Sequence, residues 1–329
     1  MKRVCVLPGD GVGPEVVECA TRVLGAAAPG VELLQADIGL SAFANHGSYL
    51  PESTLDLMRD CDSSLFGAVS SVRDDRHKSP VLAFRKELDL FANVRPVKSL
   101  IALSGRGPID VIIVRENSEG LYHQVEAEDP EGVTTPRRVS RRASERIVDF
   151  AVHYARSRGR KGLCCVHKSN VLRKSDGLFL DVFRERVTAS GLSARDQLVD
   201  SAAMLLVTDP ASFDVIVTLN LYGDILSDVA AGVAGGLGFA PSGNIGPEHS
   251  VFEPAHGSAP DIAGRGVANP TAAILSAAMM LGHIGMAREA EDIVSAVHGT
   301  YAAGHLTVDV GGSNGSGRFT DRVLERLRR

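Results

Sequence analysis

Short apolar runs alternate with amphipathic segments along the chain, and this rhythm predicts the fold. We predict strands at 3–7, 32–36, 64–67, 110–115, 163–167 and 213–219, and helices at 14–24, 51–60 and 143–158. Such alternation is typical of an α/β protein with a largely parallel sheet. The segment at about 122–140 breaks the rhythm because it is polar and rich in acidic residues, proline and glycine. It predicts an arm or flap that leaves the globule.

The run 271–281 is apolar on every side of a predicted helix. It is shorter than the roughly 18 residues that a membrane span needs. A helix without a polar face is typical of a protein core or a subunit interface, so we predict burial there and no membrane partner.

Composition narrows the class of protein. With 329 residues, 44% of them hydrophobic, the chain can form one large α/β domain or two domains. A net charge of −5 argues against nucleic-acid and membrane-surface partners, which both require a concentrated basic face. The five cysteines lie in or beside apolar runs without C-x-x-C spacing, which indicates reduced core residues and a cytoplasmic location.

Two carboxylates four residues apart, Asp224 and Asp228, follow the apolar run 213–219. We predict that they open a helix together and share one of its faces, at the carboxyl end of a strand, where open α/β sheets bind ligands. Oxygen ligands favour Mg²⁺ or Mn²⁺ over zinc. The alternative is an exposed helix N-terminus, whose acidic residues complement the helix dipole.

Basic side chains stand in contexts that suit an anionic ligand. Arg85, Arg95 and Arg115 could direct three guanidinium groups into one cleft and bind several carboxylates. For Arg85 alone, a surface salt bridge explains the sequence equally well. Lys168 follows a predicted strand, and Tyr122 follows a polar loop, so each can be a proton-transfer residue or a structural one.

Two glycine-containing segments suggest binding loops. Residues 8–14 lie between a strand and a helix, with Asp37 ending the next strand, which imitates a dinucleotide-binding fingerprint. Pro14 and Glu15 replace its third glycine, so we interpret the segment as a turn lining a cleft. Residues 252–264 are rich in small residues, which let a backbone approach a flat or phosphorylated ligand, although any tight loop can share this composition.

Several long motifs occur together, in order and over essentially the whole chain: 9–14, 115–120, 167–171, 220–228 and 256–261. Together they resemble the β-decarboxylating dehydrogenases, the family of isocitrate, isopropylmalate, homoisocitrate, D-malate and tartrate dehydrogenases. The resemblance implies an isopropylmalate-dehydrogenase-like α/β fold of two domains. The first, NAD-binding, comprises 1–90 and 236–329; the second, at 91–235, carries the arm, the metal and substrate residues, and the dimer interface.

The resemblance also implies an oxidative decarboxylation and assigns roles to residues. Asp200, Asp224 and Asp228 would hold Mg²⁺ or Mn²⁺, and Lys168 would take the proton of the substrate 2-hydroxyl while hydride passes from C2 to the nicotinamide. After loss of CO₂, Tyr122 would protonate C3. The three arginines and Asn170 would bind the substrate. Lys168 and Asp200 would come from a second subunit, so the minimum assembly is a homodimer, with a tetramer left open.

The cofactor implied by the resemblance is NAD. NAD-using relatives carry an Asp-Ile pair where Asp261 and Ile262 stand, whereas NADP-using bacterial isocitrate dehydrogenases carry Lys-Tyr. A carboxylate there accepts from the ribose hydroxyl and repels a 2′-phosphate. The residues implied to bind the cofactor are Glu253, His256, Gly257, Ser258, Ala259, Asp261, Ile262 and Asn269.

Substrate choice is implied to lie in the segment before Arg85. Ser79, Val81 and Leu82 there, with the motif at 91–99, look most similar to fungal homoisocitrate dehydrogenases, which convert homoisocitrate to 2-oxoadipate. Bacterial homoisocitrate enzymes carry arginine where Leu82 stands, so isocitrate, 3-isopropylmalate, another 2-alkylmalate and D-malate stay open.

Two non-catalytic alternatives are disfavoured by the same residues. A regulatory subunit of the family would lose the chemistry, whereas Tyr122, Lys168 and all three aspartates are present here. A pure anion-binding protein does not explain three aspartates beside three arginines.

Overall fold

The structure is a computed structural model and describes residues 1–70, 79–100, 108–123 and 125–328. The strands are β1 Lys2–Gly9, β2 Val31–Gln35, β3 Ser63–Ala68, β4 Ala92–Lys98, β5 Asp110–Glu116, β6 Ala127–Asp129, β7 Gly132–Thr134, β8 Gly162–His167, β9 Ser193–Leu198, β10 Val215–Thr218, β11 Pro241–Ile245 and β12 Ser250–Pro254. The helices are α1 Gly13–Ala27, α2 Leu40–His46, α3 Glu52–Asp60, α4 Pro80–Glu87, α5 Arg141–Ser157, α6 Ser175–Val187, α7 Val199–Thr208, α8 Asn220–Ala234, α9 Thr271–His283, α10 Ala287–Ala302 and α11 Ser316–Leu327.

The chain folds as two compact units. Unit 1 is discontinuous and comprises Met1–Leu90 and Gly235–Arg329, whereas unit 2 is the intervening Phe91–Ala234. Each unit has its own sheet strands and helices, so both are α/β, as predicted. The predicted boundaries, 90/91 and 235/236, lie within one residue of these.

In unit 1 the strand order is β2-β1-β3-β12-β11. Neighbouring strands are parallel except for β11 and β12, which form an antiparallel pair. Helix α9 lies against this sheet, and its residues 271–278 are all buried. The prediction of burial for this apolar helix is therefore confirmed.

In unit 2 the strand order is β4-β5-β10-β8-β9, with β4 antiparallel to β5 and the other pairs parallel. Residues 111–116 of β5 are buried. The apolar run at 111–114 is typical of a strand that is covered on both faces of its sheet. The carboxyl ends of β5, β8 and β10 lie at one edge of the sheet. Arg115, Lys168 and Asn220 stand at or just after those ends.

The structure corrects the predicted start of one helix. Helix α8 begins at Asn220, so Asp224 and Asp228 lie in its second and third turns and do not open it. Residue 220 can begin the helix because strand β10 ends at Thr218, one residue before the end of the apolar run. The two aspartates still share one helix face, since their spacing is unchanged.

The polar segment predicted as an arm forms a small antiparallel hairpin of β6 and β7. Its residues 125–136 are all exposed. Among the residues that the structure describes, no helix combines the length and apolar character that a bilayer crossing requires.

Candidate active site

Arg115, Tyr122 and Asp224 form the centre of the site in unit 2. The guanidinium of Arg115 is 1% exposed and donates to Oδ1 of Asp224 at 2.6 Å, while the Tyr122 hydroxyl donates to Oδ2 at 2.6 Å. The ring of Tyr122 also lies against the guanidinium, with 4.9 Å between Cζ and the ring centroid. Burial raises the pKa of Tyr122, and the hydrogen bond to Asp224 raises it further against the effect of Arg115. The phenol is therefore held protonated, as a proton donor must be.

Arg115 is fixed by the residue that begins α8. Its Nε donates to the Asn220 carbonyl at 2.9 Å and its Nη2 to the Asn220 side-chain oxygen at 2.8 Å. Gly223 is required beside it, because a Cβ there would lie 2.6 Å from Cγ of Arg115. Sequence reasoning missed Asn220. Its signal was a residue with both amide donor and acceptor, placed just after a buried strand.

Arg95 joins both helix aspartates. Its guanidinium lies 3.3 Å from Oδ1 of Asp224 and 3.2 Å from Oδ1 of Asp228, and it also donates to Ser227 at 2.7 Å and Asn93 at 3.0 Å. Burial raises the pKa of Asp228, and Asp224 raises it too, while Arg95 lowers it. The two carboxylates thus lie close enough to repel each other and are compensated by arginine.

The donors of α8 fit a hard divalent cation. Asp224 and Asp228 offer carboxylate oxygens one turn apart, and Mg²⁺ is commonly bound by one or two carboxylates with water and substrate completing its shell. Within the described part of the chain, however, no group of three or more His, Cys, Asp or Glu is arranged to hold a metal ion. The structure therefore does not bring Asp200 together with Asp224 and Asp228 in one chain.

Asp200 lies instead beside Lys168. Nζ of Lys168 is 2.6 Å from Oδ1 of Asp200, at the N-terminal turn of α7. The hydrogen bond from Lys168 lowers the pKa of Asp200. Asn170, predicted to bind substrate, follows Lys168 and is exposed. Lys168 and Asp200 therefore form a second pair in unit 2.

Unit 1 carries the remaining predicted substrate residues. Ser79 caps α4 by accepting from the Leu82 amide at 3.4 Å, and Val81 packs against the core formed by Phe84, Leu88 and their neighbours. Val81 therefore contributes to packing in unit 1. Arg85 is 10% exposed, and its Nη2 lies 3.0 Å from Oε1 of Glu253, which is 9% exposed. The Nε of Arg85 is buried without a hydrogen-bond acceptor among the described residues.

The predicted cofactor residues divide into an exposed loop and an anchored set. His256, Gly257, Ala259, Asp261 and Ile262 are exposed or half-buried after β12, and Asp261 lies in a short 3-10 helix at Pro260–Ile262. A Cβ on Gly257 would meet open space. Burial lowers the pKa of His256.

The other three predicted cofactor residues have protein partners. Glu253 accepts from Asn244 at 2.7 Å, and the Ser258 hydroxyl contacts that of Ser70 at 3.1 Å. Asn269 donates to Asp309 at 3.0 Å. Their side chains shape the loop from within unit 1, and their predicted contact with the cofactor stays a prediction.

The glycine-rich turn between β1 and α1 is explained by close backbone approach. A Cβ on Gly9 would lie 1.9 Å from the Ala68 carbonyl oxygen, and one on Gly11 would lie 1.9 Å from that of Ser258. Both have positive φ angles, of 76° and 62°. These glycines are needed for contacts within unit 1, including Val12 N to Ser258 O at 2.8 Å, and the role of the turn in lining a cleft stays a prediction.

In the sequence, Glu15 only marked a departure from that fingerprint. In the structure it binds the backbone of residues 266–268. Its carboxylate accepts from the amides of Gly266 and Ala268 and from the Ser316 hydroxyl, at 3.2, 3.1 and 2.6 Å. No local pattern reveals partners about 250 and 300 residues away.

Comparison with known proteins places the chain in a family. The family model described as isocitrate/isopropylmalate dehydrogenase matches residues 3–326. The chain belongs to the isocitrate/isopropylmalate dehydrogenase family. It is 46% identical to the isocitrate/homoisocitrate dehydrogenase of Thermus thermophilus, over 99% of this chain and 98% of the relative. It is 44% identical to the 3-isopropylmalate/3-methylmalate dehydrogenase of Methanocaldococcus jannaschii, over 100% and 99%.

A solved structure supports the fold over the whole length. The crystal structure of isocitrate dehydrogenase from Methylococcus capsulatus matches with a TM-score of 0.96 and 38% identity, covering 100% of both chains. The resemblance to β-decarboxylating dehydrogenases is thus confirmed, as is the α/β fold. Members of this family are oxidative decarboxylating dehydrogenases. The relatives' names differ in substrate, so they leave the substrate open.

Proposed function

We propose that this chain catalyses the oxidative decarboxylation of a 3-carboxy-2-hydroxy acid with NAD and Mg²⁺ or Mn²⁺, and that its substrate is homoisocitrate, giving 2-oxoadipate. The observation that carries the reaction class is the Tyr122–Asp224–Arg115 group, a protonated phenol fixed beside a paired carboxylate. The observation that favours homoisocitrate is the likeness of the segment 79–99 to fungal homoisocitrate dehydrogenases, together with the printed name of the Thermus relative.

Asp224 and Asp228 would hold the divalent cation, which would supply a Lewis acid for the 2-oxo group, and NAD would supply the hydride acceptor for C2. Lys168 takes the proton of the substrate hydroxyl at its Nζ. Tyr122 gives the proton of its hydroxyl to C3 after CO₂ has left. Arg85, Arg95 and Arg115 bind the substrate carboxylates.

NAD is proposed over NADP because of Asp261. Its carboxylate is exposed, and among the described residues no hydrogen bond or ion pair to it is found. An exposed carboxylate can accept from a ribose diol, whereas a 2′-phosphate would be repelled.

We propose a homodimer in which each active site is shared, with a tetramer as the alternative. Among the described residues of one chain, Asp200 pairs with Lys168 and is not grouped with Asp224 and Asp228 as metal ligands, which supports a site completed by a second copy. Helices α7 and α8 also expose apolar side chains suited to a partner, at Met204, Val207 and Ile225. A cytoplasmic location is part of the proposal, supported by five free, buried thiols.

A substrate panel tests the proposal. NADH formation is followed with Mg²⁺, and kcat/KM is compared for homoisocitrate, isocitrate, 3-isopropylmalate, D-malate and tartrate, then with NADP and after removal of the metal by a chelator. We expect homoisocitrate with NAD to be preferred and the chelator to abolish turnover. A preference for 3-isopropylmalate would favour the second candidate, which the name of the Methanocaldococcus relative supports. Inactivity on every substrate would refute the proposed function.

Mixing two inactive variants tests the shared site. Tyr122→Phe and Lys168→Met, refolded together, would give hybrid dimers in which one site holds neither change, so activity would return. The matched control mixes Tyr122→Phe with Asp224→Asn, because these residues contact each other in one chain. If the first mixture stays as inactive as the control, the shared site is wrong.

A further inference from the structure

Asp176, in the first turn of α6, is a buried carboxylate that no role assigned above explains. Its exposed fraction is 0%, and a charge so placed requires compensating partners. One carboxylate oxygen, Oδ2, accepts from the backbone amide of Lys168 at 2.7 Å. The other, Oδ1, accepts from Nη1 of Arg137 at 2.6 Å. Asp176 therefore touches the backbone that carries the proposed base.

Arg137 lies where the arm returns to the body of unit 2. Its side chain is 17% exposed, and its guanidinium lies over the ring of Tyr222, with 5.1 Å between Cζ and the centroid. Tyr222 is part of α8, two residues before Asp224. The guanidinium is thus enclosed between a carboxylate of α6 and a ring of the helix that carries the predicted metal ligands.

The same end of the arm is bonded to the loop before Tyr122. Gly120 N donates to the Arg138 carbonyl at 3.1 Å, and Ser140 N donates to Glu119 Oε1 at 2.7 Å. Position 120 has a φ of 86°, so glycine suits this turn. Direct contacts thus connect Lys168 to Asp176, Asp176 to residues 137–140 at the end of the arm, and these residues to the turn before Tyr122.

We propose that Asp176 and Arg137 are positioning residues. They hold the backbone of Lys168 in place relative to residues 137–140, the end of the arm that is hydrogen-bonded to the turn before Tyr122. The expected effect on catalysis rests on the proposed function. The expected effect on the position of the backbone rests on these contacts alone. A carboxylate is required because it accepts from an amide and a guanidinium at once and balances the charge of Arg137. Neither residue touches the substrate in this account; they act through the two groups that do.

The test compares Asp176→Asn with Arg137→Gln and with the double variant. Asparagine keeps the size of the side chain but removes the charge that Arg137 needs. We expect kcat to fall on the order of tenfold to 100-fold in each single variant, since displacements near 1 Å can cost as much, with KM for NAD unchanged. The kcat of the double variant should lie within about threefold of that of the poorer single variant, because the two single changes remove the same interaction.

The control is Asp214→Asn. Asp214 also accepts from backbone amides, those of Lys161 at 2.7 Å and Gly162 at 2.9 Å, and from Arg160 at 3.0 Å. It lies beside the amino ends of β8 and β10, at the opposite edge of the sheet of unit 2. We expect this variant to lose stability and to keep the kcat of the wild type per folded molecule.

Hydrogen exchange gives a readout without substrate. In Asp176→Asn and Arg137→Gln, amides in 118–123 and 132–140 should exchange at least about tenfold faster than in the wild type, since the barrier to local opening falls. In Asp214→Asn they should not change. Unchanged exchange together with wild-type kcat in Asp176→Asn, or equal losses of kcat in Asp214→Asn, would overturn the proposal. If the wild type is inactive on the whole substrate panel, the proposed function fails, and the exchange comparison alone decides the role of Asp176.

Discussion

The ion pair of Arg85 and Glu253 gives a prediction whose size follows from its burial. The two side chains are 10% and 9% exposed and lie 3.0 Å apart, and Asn244 donates to the same Glu253 oxygen. Glu253→Ala would leave the Arg85 charge buried, with its Nε already lacking an acceptor among the described residues. Removing one partner of a buried pair costs about 3–5 kcal/mol of the free energy of unfolding.

The assay is urea denaturation followed by far-UV circular dichroism, because the chain contains no tryptophan to report by fluorescence. The free energy of unfolding is measured for the wild type, Glu253→Ala, Glu253→Met, Arg85→Met and the Glu253→Met/Arg85→Met double variant. The double variant removes both charges and fills the space with apolar atoms, so it should be less destabilised than either single variant. We expect an interaction energy of about 1–3 kcal/mol from the cycle.

The matched control is an exposed pair. Arg141 and Glu185 lie 2.8 Å apart with side chains 50% and 54% exposed, so Glu185→Ala should change stability within measurement error. If Glu253→Ala costs no more than Glu185→Ala, or if the cycle at Arg85 and Glu253 is additive, the buried-charge reasoning is refuted.

Three further outcomes follow from the hydrogen bond of Tyr122 and from the burial of the cysteines. Tyr122→Phe removes the hydroxyl that donates to Asp224, so kcat should fall by about 100-fold or more in the NADH assay while the dichroism spectrum is unchanged; a change below about twofold would exclude Tyr122 as the acid. Burial raises the pKa of Cys5 from 9.0 to about 12 and that of Cys164 to about 11. Because the pKa of the Cys5 thiol is higher in the folded state, its contribution to the free energy of unfolding is intact below pH 9 and is lost as pH rises towards 12. The loss of stability with rising pH should be less steep in Cys5→Ala. Ellman's reagent at pH near 8 should label fewer than about one thiol in the folded protein and all five after unfolding; rapid native labelling would contradict their burial.

The strands of unit 2 were predictable because their sequence signal is local. Residues 111–114 are continuously apolar, as is typical of strands covered on both sheet faces, and the same holds for 215–217. From these strand ends follow the positions of Arg115, Lys168 and the α8 aspartates at one sheet edge. The antiparallel pairs β4–β5 and β11–β12 were not predicted, because pairing direction depends on partners distant in the sequence.

The side-chain partners were beyond the sequence for the same reason. Glu253 meets Arg85 across 168 positions, and Asp176 meets Arg137 across 39, with no periodic pattern marking either pair. The partners of Arg115 are also distant in the sequence: its guanidinium contacts Asn220 and Asp224, and its predicted contact with the substrate stays a prediction.

Charge balance within unit 2 gives these arrangements a common physical reason. Arg95 and Arg115 carry two positive charges and Asp224 and Asp228 two negative ones, so the half-buried group is neutral as it stands. A dicarboxylate alone, or a divalent cation alone, would leave two uncompensated charges where water is partly excluded, which is costly. Cation and dicarboxylate together restore neutrality. The arrangement of two arginines around two aspartates is therefore suited to a ligand that arrives with a metal ion, and poorly suited to an anion or a cation by itself.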